Sequence, residues 1–161
     1  MATTEGSLIS SAQPAGASAT VIRRGGLCDL EAVAPLSAAL HQECQRQQTV
    51  PSQVLSELRH AALDWGGRLV VAQVDKHIVG YCAYNMRQAR LQEIFVAPEF
   101  RGRAIGRDLL AFAERELEHA NVPSMAIPIE HAGENARAFF ARHGFCPAPQ
   151  EEMPLGWQKS L

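Results

Sequence analysis

Hydrophobic positions recur along this chain with two periods, and the stretch from Leu91 to Glu118 contains both of them. Leu91 to Val96 is rich in β-branched and aromatic residues and has no breaker, which is typical of a strand. Pro98 ends that strand because proline has no N–H to give to a ladder. From Ala104 to Glu118 the apolar residues return at three- and four-residue spacing, which predicts an amphipathic helix.

The same two periods predict the other elements. Before this stretch we expect a strand, two helices and two strands that lead into the strand just described. After it we expect a strand, a helix and a last strand. The predicted ranges are Val21–Arg24, Leu30 to about Arg46, Pro51 up to Gly66, Arg68–Val74, His77–Arg87, Ala89–Val96, Ser124–Glu130, Glu134–His143 and Gly156–Leu161.

Local signals refine these boundaries. Asp29 is a plausible N-cap for the first helix. Pro128, inside a predicted strand, suggests an edge position or a bulge. Gly144 is expected to end the last helix in a left-handed conformation. The prolines between Cys146 and Gly156 make that region loop-like.

Composition then sets limits on organisation. The 161 residues suffice for one domain with a real core. Residues 1–20 are rich in Ala, Ser, Thr and Gly, which predicts a disordered tail before a single domain at residues 21–161. The N-terminus lacks the basic start and apolar core of a secretory signal, and no apolar run is long enough to span a membrane.

Charge and cysteine usage narrow the classes of partner. The net charge is −2, so we expect no nucleic-acid partner. The four cysteines form no CxxC pair, and no His pair has zinc-ligand spacing. We therefore expect no metal and reduced thiols, as in a cytoplasmic protein.

The chemical clue lies between the strand and the helix, in the turn RGRAIG. The first N–H groups of a helix have no partner inside the helix, and the helix dipole adds partial positive charge there. Gly102 and Gly106 let a ligand approach the backbone, and Arg101, Arg103 and Arg107 add fixed positive charge. The turn is thus suited to bind a phosphate group.

The strand, the proline, RGRAIG and the helix resemble the acetyl-CoA-binding core of the GCN5-related N-acetyltransferases. Their signature Q/R-x-x-G-x-G/A is matched by Arg101, Gly106 and the spacing between them, with Ala104 at the usual central glycine. The order of the predicted elements is also that of the family, from about Val21 to the C-terminus. A nucleotide-binding fold is disfavoured, because the chain contains neither GxxxxGK[ST] nor GxGxxG.

This resemblance implies a mixed α/β (α+β) fold. We expect a mostly antiparallel central sheet of six to seven strands, helices on both faces, and fourth and fifth strands that splay apart. The co-substrate would be acetyl-CoA, with its pantetheine arm on strand four and its diphosphate on the turn. The implied binding residues are Ile94, Phe95, Val96, Arg101, Gly102, Arg103, Ala104, Ile105, Gly106 and Arg107.

The implied reaction moves an acetyl group from the thioester to a primary amine of a small molecule, amino acid or peptide, by direct attack in a ternary complex. An N–H of Phe95 or Val96 would polarise the thioester carbonyl. A base must remove a proton from an ammonium acceptor, directly or through water. Glu93 is the first candidate for that base, and Glu130 or His131 is the second. The resemblance also raises a homodimer as one state of assembly.

Three residues depart from the family pattern. Ala104 would be strained if its position requires a positive φ. Phe140 stands where a tyrosine commonly protonates the leaving thiolate, and Gly133 stands where an Asn is usual, with Asn135 two residues away. These departures leave an alternative open, in which the chain is a weak or inactive CoA-binding sensor or interaction module.

Overall fold

A computed structural model describes residues 18–44, 51–63, 65–129, 132–149 and 156–161. Seven strands and four α-helices are assigned in these ranges. They are β1 (Val21–Arg24), α1 (Leu30–Glu43), α2 (Pro51–Leu63), β2 (Gly67–Val74), β3 (His77–Asn85), β4 (Arg90–Val96), α3 (Ile105–His119), β5 (Ser124–Pro128), α4 (Glu134–Arg142), β6 (Cys146–Pro147) and β7 (Gly156–Ser160).

The strands form one sheet in the order β1-β2-β3-β4-β5-β7-β6. Every neighbouring pair is antiparallel except β4 and β5, which are parallel. A parallel pair needs a crossover connection, and α3 supplies it. The mixed, mostly antiparallel sheet confirms the predicted fold class.

Two hydrophobic cores lie on the two faces of the sheet. Because successive strand residues point to opposite faces, Val71 packs with α1 and α2 while Val70 packs with α3. On the first face, Val33 and Leu58 are fully buried. On the second face, Leu109 is fully buried with its neighbours on α3. Helices therefore cover both faces, as the resemblance implied.

Several boundaries differ from the predicted ones for local reasons. β3 ends at Asn85 instead of Arg87, because the Asn85 side chain accepts hydrogen bonds from the N–H groups of Arg87 and Gln88 and so builds a turn. The Asp29 carboxylate does not cap α1; it accepts hydrogen bonds from the Gly26 N–H and the Arg23 guanidinium instead.

Other expectations have mixed outcomes. The pair Cys146–Pro147 forms a short strand, β6, in a region predicted to be loop-like. α1 ends at Glu43, three residues before the expected end. Residues 1–17 of the expected N-terminal tail lie outside the described residues, so its disorder stays a prediction.

β4 and β5 separate after a single rung. Arg90 is opposite Ala126, and the Ala126 N–H donates to the Ala89 carbonyl at 2.8 Å. Two residues further along β5, position 128 would again face β4, but Pro128 has no N–H for a second rung. The predicted splay of strands four and five is confirmed, and Pro128 lies beside the gap instead of at an outer edge of the sheet.

A β-bulge interrupts β4 next to this gap. Ala83 is opposite Glu93 while Tyr84 is opposite Leu91, so Gln92 has no counterpart on β3. A bulge re-aims the side chains around it and is common next to active sites. Here it brings the side chains of Gln92 and Glu93 to one place.

Candidate active site

The gap between β4 and β5 opens into a cleft of about 800 Å³. Its walls come from the C-terminal end of α1, from β4, from the turn before α3, and from β5 and α4. Of the ten predicted cofactor-binding residues, Arg103 alone does not line it. The cleft is large enough for a ligand of drug size or more.

The edge of β4 that faces the gap carries free backbone groups. The Ala97 N–H donates to the Val79 carbonyl at 2.8 Å, on the β3 side. Because backbone N–H groups alternate between the two edges of a strand, those of Val96 and Ile94 face the gap and that of Phe95 faces β3. Of the two predicted carbonyl donors, Val96 is thus the one with an available N–H.

The turn before α3 presents a run of unpaired amides. Within the described part of the chain, no acceptor binds the N–H groups of residues 102–107. The next amide, that of Asp108, donates to the Ala104 carbonyl at 3.0 Å and so begins the helical pattern. Unpaired amides at a helix N-terminus are suited to bind an anion without any side chain.

Two left-handed residues shape this turn. Gly102 has a φ of +75° and Ala104 has a φ of 62°. Glycine adopts this conformation freely, whereas alanine is strained there by its Cβ. A helical φ/ψ would have left Ala104 unstrained, but the structure has the positive φ and therefore the strain. Gly106 is favoured for another reason: a Cβ at Gly106 would lie 3.3 Å from the Phe139 ring, which lines the cleft and would have to shift.

The three arginines of the turn have different surroundings. Arg101 donates through Nε to the Val96 carbonyl at 2.9 Å and through Nη2 to Glu43 at 2.8 Å, so it links β4 to the end of α1. Arg107 pairs with its neighbour Asp108. The Arg103 guanidinium lies over the Phe100 ring, and Arg103 itself does not line the cleft.

Glu93 lies on the α1 face of the sheet, at the edge of the gap. Its side chain is 13% exposed, and both carboxylate oxygens are occupied. Oε1 is 2.8 Å from His41 Nε2, while Oε2 accepts from the Tyr81 hydroxyl at 2.6 Å and from Ser37 Oγ at 3.1 Å. These donors fix the carboxylate in one orientation.

The same contacts determine the charge of Glu93. Burial acts to raise the pKa of its carboxyl, but the hydrogen bonds from His41, Tyr81 and Ser37 outweigh burial and hold the pKa below its ordinary value. Burial and the adjacent Glu93 charge raise the pKa of Tyr81 well above its ordinary value. Glu93 is therefore ionised near neutral pH, and Tyr81 remains a donor.

A second, smaller pocket of about 340 Å³ meets the cleft at this point. Gln92, Glu93 and Pro128 line both cavities. The rest of the small pocket comes from α2, the turn after β3, and the first residue of β4. Glu93 thus stands where a molecule in the cleft and one in the pocket would meet.

The position of the expected proton donor on α4 offers no hydroxyl group. Phe140 is buried, with edge-on contacts to the rings of Phe139 and Phe145. Asn135 lines the cleft, whereas Gly133 does not. The Tyr84 side chain points to the opposite face of the sheet from Glu93, and its hydroxyl donates a hydrogen bond to Glu116.

The sequence predicts some residues of this site and not others. Glu130 and His131 lie outside the described residues, so their role stays a prediction. The side chains that contact Glu93 were not predicted, although two of them, Ser37 and His41, are four residues apart and so share one face of a helix. The spacing indicates that the two side chains can act on one partner, but it does not identify Glu93 on β4 as that partner.

None of the helices in the described ranges has the length and apolar character that crossing a bilayer requires. In the same ranges, no cluster of three or more His, Cys, Asp and Glu side chains is arranged to hold a metal ion.

The sheet is mixed and parts between two parallel strands, and unpaired amides lie beside the gap. The model of the acetyltransferase (GNAT) family matches residues 36–145. The chain therefore belongs to the GNAT acetyltransferase family, and membership implies acyltransferase activity.

Solved structures agree on the fold. An acetyltransferase of the GNAT family from Staphylococcus aureus Mu50 has a TM-score of 0.75 and 18% identity, covering 89% of this chain and 99% of the other. The PaiA N-acetyltransferase of Thermoplasma acidophilum, in complex with coenzyme A, has a TM-score of 0.72 and 15% identity over the same shares.

A third structure is the ribosomal-protein-alanine N-acetyltransferase of Brucella melitensis, with a TM-score of 0.65 and 21% identity, covering 88% of this chain and 99% of the other. None of the curated proteins matches this chain. Identities this low support the shared fold and leave the acceptor undetermined.

Proposed function

We propose that this protein is an acetyl-CoA-dependent N-acetyltransferase that acetylates a primary amine of a small molecule, amino acid or peptide by direct attack in a ternary complex. The observation that carries the proposal is the run of unpaired amides at residues 102–107 beside the parted strands. These donors fit a diphosphate, and the strand edge at Val96 fits an amide-bearing arm.

The residues that would hold acetyl-CoA come from β4 and the turn. The amides of residues 102–107 would bind the diphosphate, and the free N–H groups of Ile94 and Val96 face the gap in which the pantetheine arm would lie. Bound acetyl-CoA supplies an activated acyl group. The N–H of Val96 is available to a carbonyl oxygen in the gap, as an oxyanion donor.

Glu93 is the residue that we propose for proton removal. An ammonium cannot attack a carbonyl carbon, so the acceptor must lose a proton first. The carboxylate is ionised, fixed by three donors, and lines both the cleft and the small pocket. Because its oxygens are occupied and its pKa is low, we expect the proton to leave through a water molecule at the junction.

The second candidate function is CoA binding without turnover. The specific observation that favours it is the apolar packing of Phe140, which offers no proton to a leaving thiolate. A free thiol has a pKa of about 8.5, so a dedicated acid helps the reaction near neutral pH but is not required for it.

One pair of measurements tests the proposal. Isothermal titration with acetyl-CoA should give a dissociation constant below 1 mM. Mass-spectrometric detection of free CoA and acetylated product, across a panel of primary amines, should then show turnover. Absence of binding at millimolar acetyl-CoA contradicts the proposal, and binding with no turnover on any amine favours the second candidate.

A further inference from the structure

The small pocket that meets the cleft contains two polar groups without partners. Arg90 is half-buried in its wall, and its guanidinium makes no ion pair or hydrogen bond with any residue that the structure describes. The Oε1 atom of Gln92 is buried and likewise has no hydrogen-bond partner. The buried acceptor without a donor is unfavourable, and the partly buried guanidinium without a counterion is available to an anion.

The two groups are placed apart along one strand. Arg90 is the first residue of β4, whereas Gln92 is the bulge residue that lines both cavities. Glu93 stands beside Gln92, and Glu57 of α2 is the other acidic residue in the pocket wall. The pocket wall therefore holds a cation, Arg90, and a carboxylate, Glu93, three residues further along β4.

We propose that this pocket binds an amine that also carries a carboxylate, as an amino acid does; the proposal rests on the proposed function. The fork of the Arg90 guanidinium binds the carboxylate with two parallel hydrogen bonds. The amine would lie beside Gln92 and Glu93, which line the junction with the cleft.

Size and charge favour this class over others. A volume of about 340 Å³ is at the small end of ligand pockets, which fits a single amino acid better than a folded protein surface. Glu57 and Glu93 would repel a doubly charged phosphate, whereas one carboxylate is balanced by Arg90. A diamine would leave Arg90 unpaired and repelled by a cation.

Matched acceptors test the proposal. The twenty common L-amino acids are offered with acetyl-CoA, and the best one is compared with its methyl ester and its decarboxylated amine. We expect the amino acid to have a KM roughly tenfold or more below those of the two analogues, because one charged pair is lost in each. Equal KM values for the three would overturn the proposal.

Variants of the pocket give a second readout. Arg90→Gln should raise the KM for the amino acid roughly tenfold and leave the KM for the decarboxylated amine within about twofold. Arg90→Lys keeps the charge without the fork and should have an intermediate KM. Arg115→Gln removes an exposed arginine on α3 and serves as the control, with no change expected. If Arg90→Gln raises the KM for both acceptors equally, the assignment of Arg90 is wrong.

A binding measurement separates this proposal from the proposed function. The best-binding amino acid is titrated by saturation-transfer NMR into the protein saturated with CoA, where no transfer takes place. Binding that Arg90→Gln weakens supports the pocket even if no amine is acetylated. If amines are acetylated but no amino acid binds or reacts better than its ester, the pocket proposal falls and the N-acetyltransferase remains.

Discussion

Ala104 is one of six non-glycine residues with a positive φ in the described ranges, and it is the one that lies in the turn before α3. It adopts a φ of 62° at the start of α3, in the middle of the turn proposed to bind the diphosphate. The left-handed conformation costs an L-residue roughly 1–2 kcal/mol, and glycine avoids that cost. The turn therefore has the geometry that its family signature assigns to a glycine, with an alanine strained into it.

Ala104→Gly should relieve this strain. We expect the free energy of unfolding to rise by about 0.5–1 kcal/mol, after the extra entropy of glycine in the unfolded chain is subtracted. Acetyl-CoA affinity should rise or stay the same. Urea unfolding and titration calorimetry measure the two effects. Ala111→Gly, inside α3, is the control and should lower stability by about 1 kcal/mol; a similar loss from Ala104→Gly would contradict the account.

Glu93 carries the strongest predicted effect of a single side chain. Glu93→Gln should keep the fold and acetyl-CoA affinity but lower kcat/KM roughly 10²- to 10⁴-fold, because the group proposed to take the proton is lost. Kinetics across the amine panel, with circular dichroism to check the fold, measures this. Activity within about threefold of the unmodified protein would remove Glu93 from the mechanism.

The same variant makes a prediction about pH and stability. The folded pKa of Glu93 is below its unfolded value of about 4.3, so its ionised form stabilises the fold above that value. This contribution disappears as the pH falls through the lower, folded pKa. Glu93→Gln should thus reduce the free energy of unfolding by about 1–3 kcal/mol at pH 7 and by progressively less below pH 4. A reduction that does not depend on pH would contradict the assignment.

At the scale of elements, α1 and the turn before α3 are connected through one arginine. Arg101 bonds to the Val96 carbonyl and to Glu43, and its guanidinium is 5.2 Å from the centroid of the Phe95 ring. Both partners of the ion pair are nearly half exposed, so we expect the pair to add little stability by itself. Its effect is to hold the turn against the end of β4, where the pantetheine arm is proposed to lie.

Arg101 and Arg103 therefore form a matched pair of variants. Arg101→Ala should weaken acetyl-CoA binding roughly tenfold, because it removes a fixed charge and a link to β4. Arg103→Ala should weaken it less than threefold, since that side chain lies outside the cleft. Titration calorimetry at constant ionic strength measures both. Equal losses would mean that the arginines act only through their summed charge.

At the scale of the molecule, the sequence predicted the order of elements because each has a clear period and a clear breaker. The register of β4 was not predictable, since the bulge at Gln92 depends on pairing with β3 and leaves no local mark. The three donors to Glu93 come from α1 and β3, which meet β4 only in the folded chain. The strain at Ala104 was recognised as one of two outcomes, and only backbone geometry decided between them.

The central claim is that acetyl-CoA lies in the gap between β4 and β5, bound by main-chain donors. Amide NMR during titration with acetyl-CoA tests it most directly. We predict shifts and slowed hydrogen exchange at the N–H groups of Val96 and of residues 102–107, with Phe95, bonded toward β3, slow to exchange before and after. Binding that leaves these amides unchanged, or no binding at millimolar acetyl-CoA, would contradict the account.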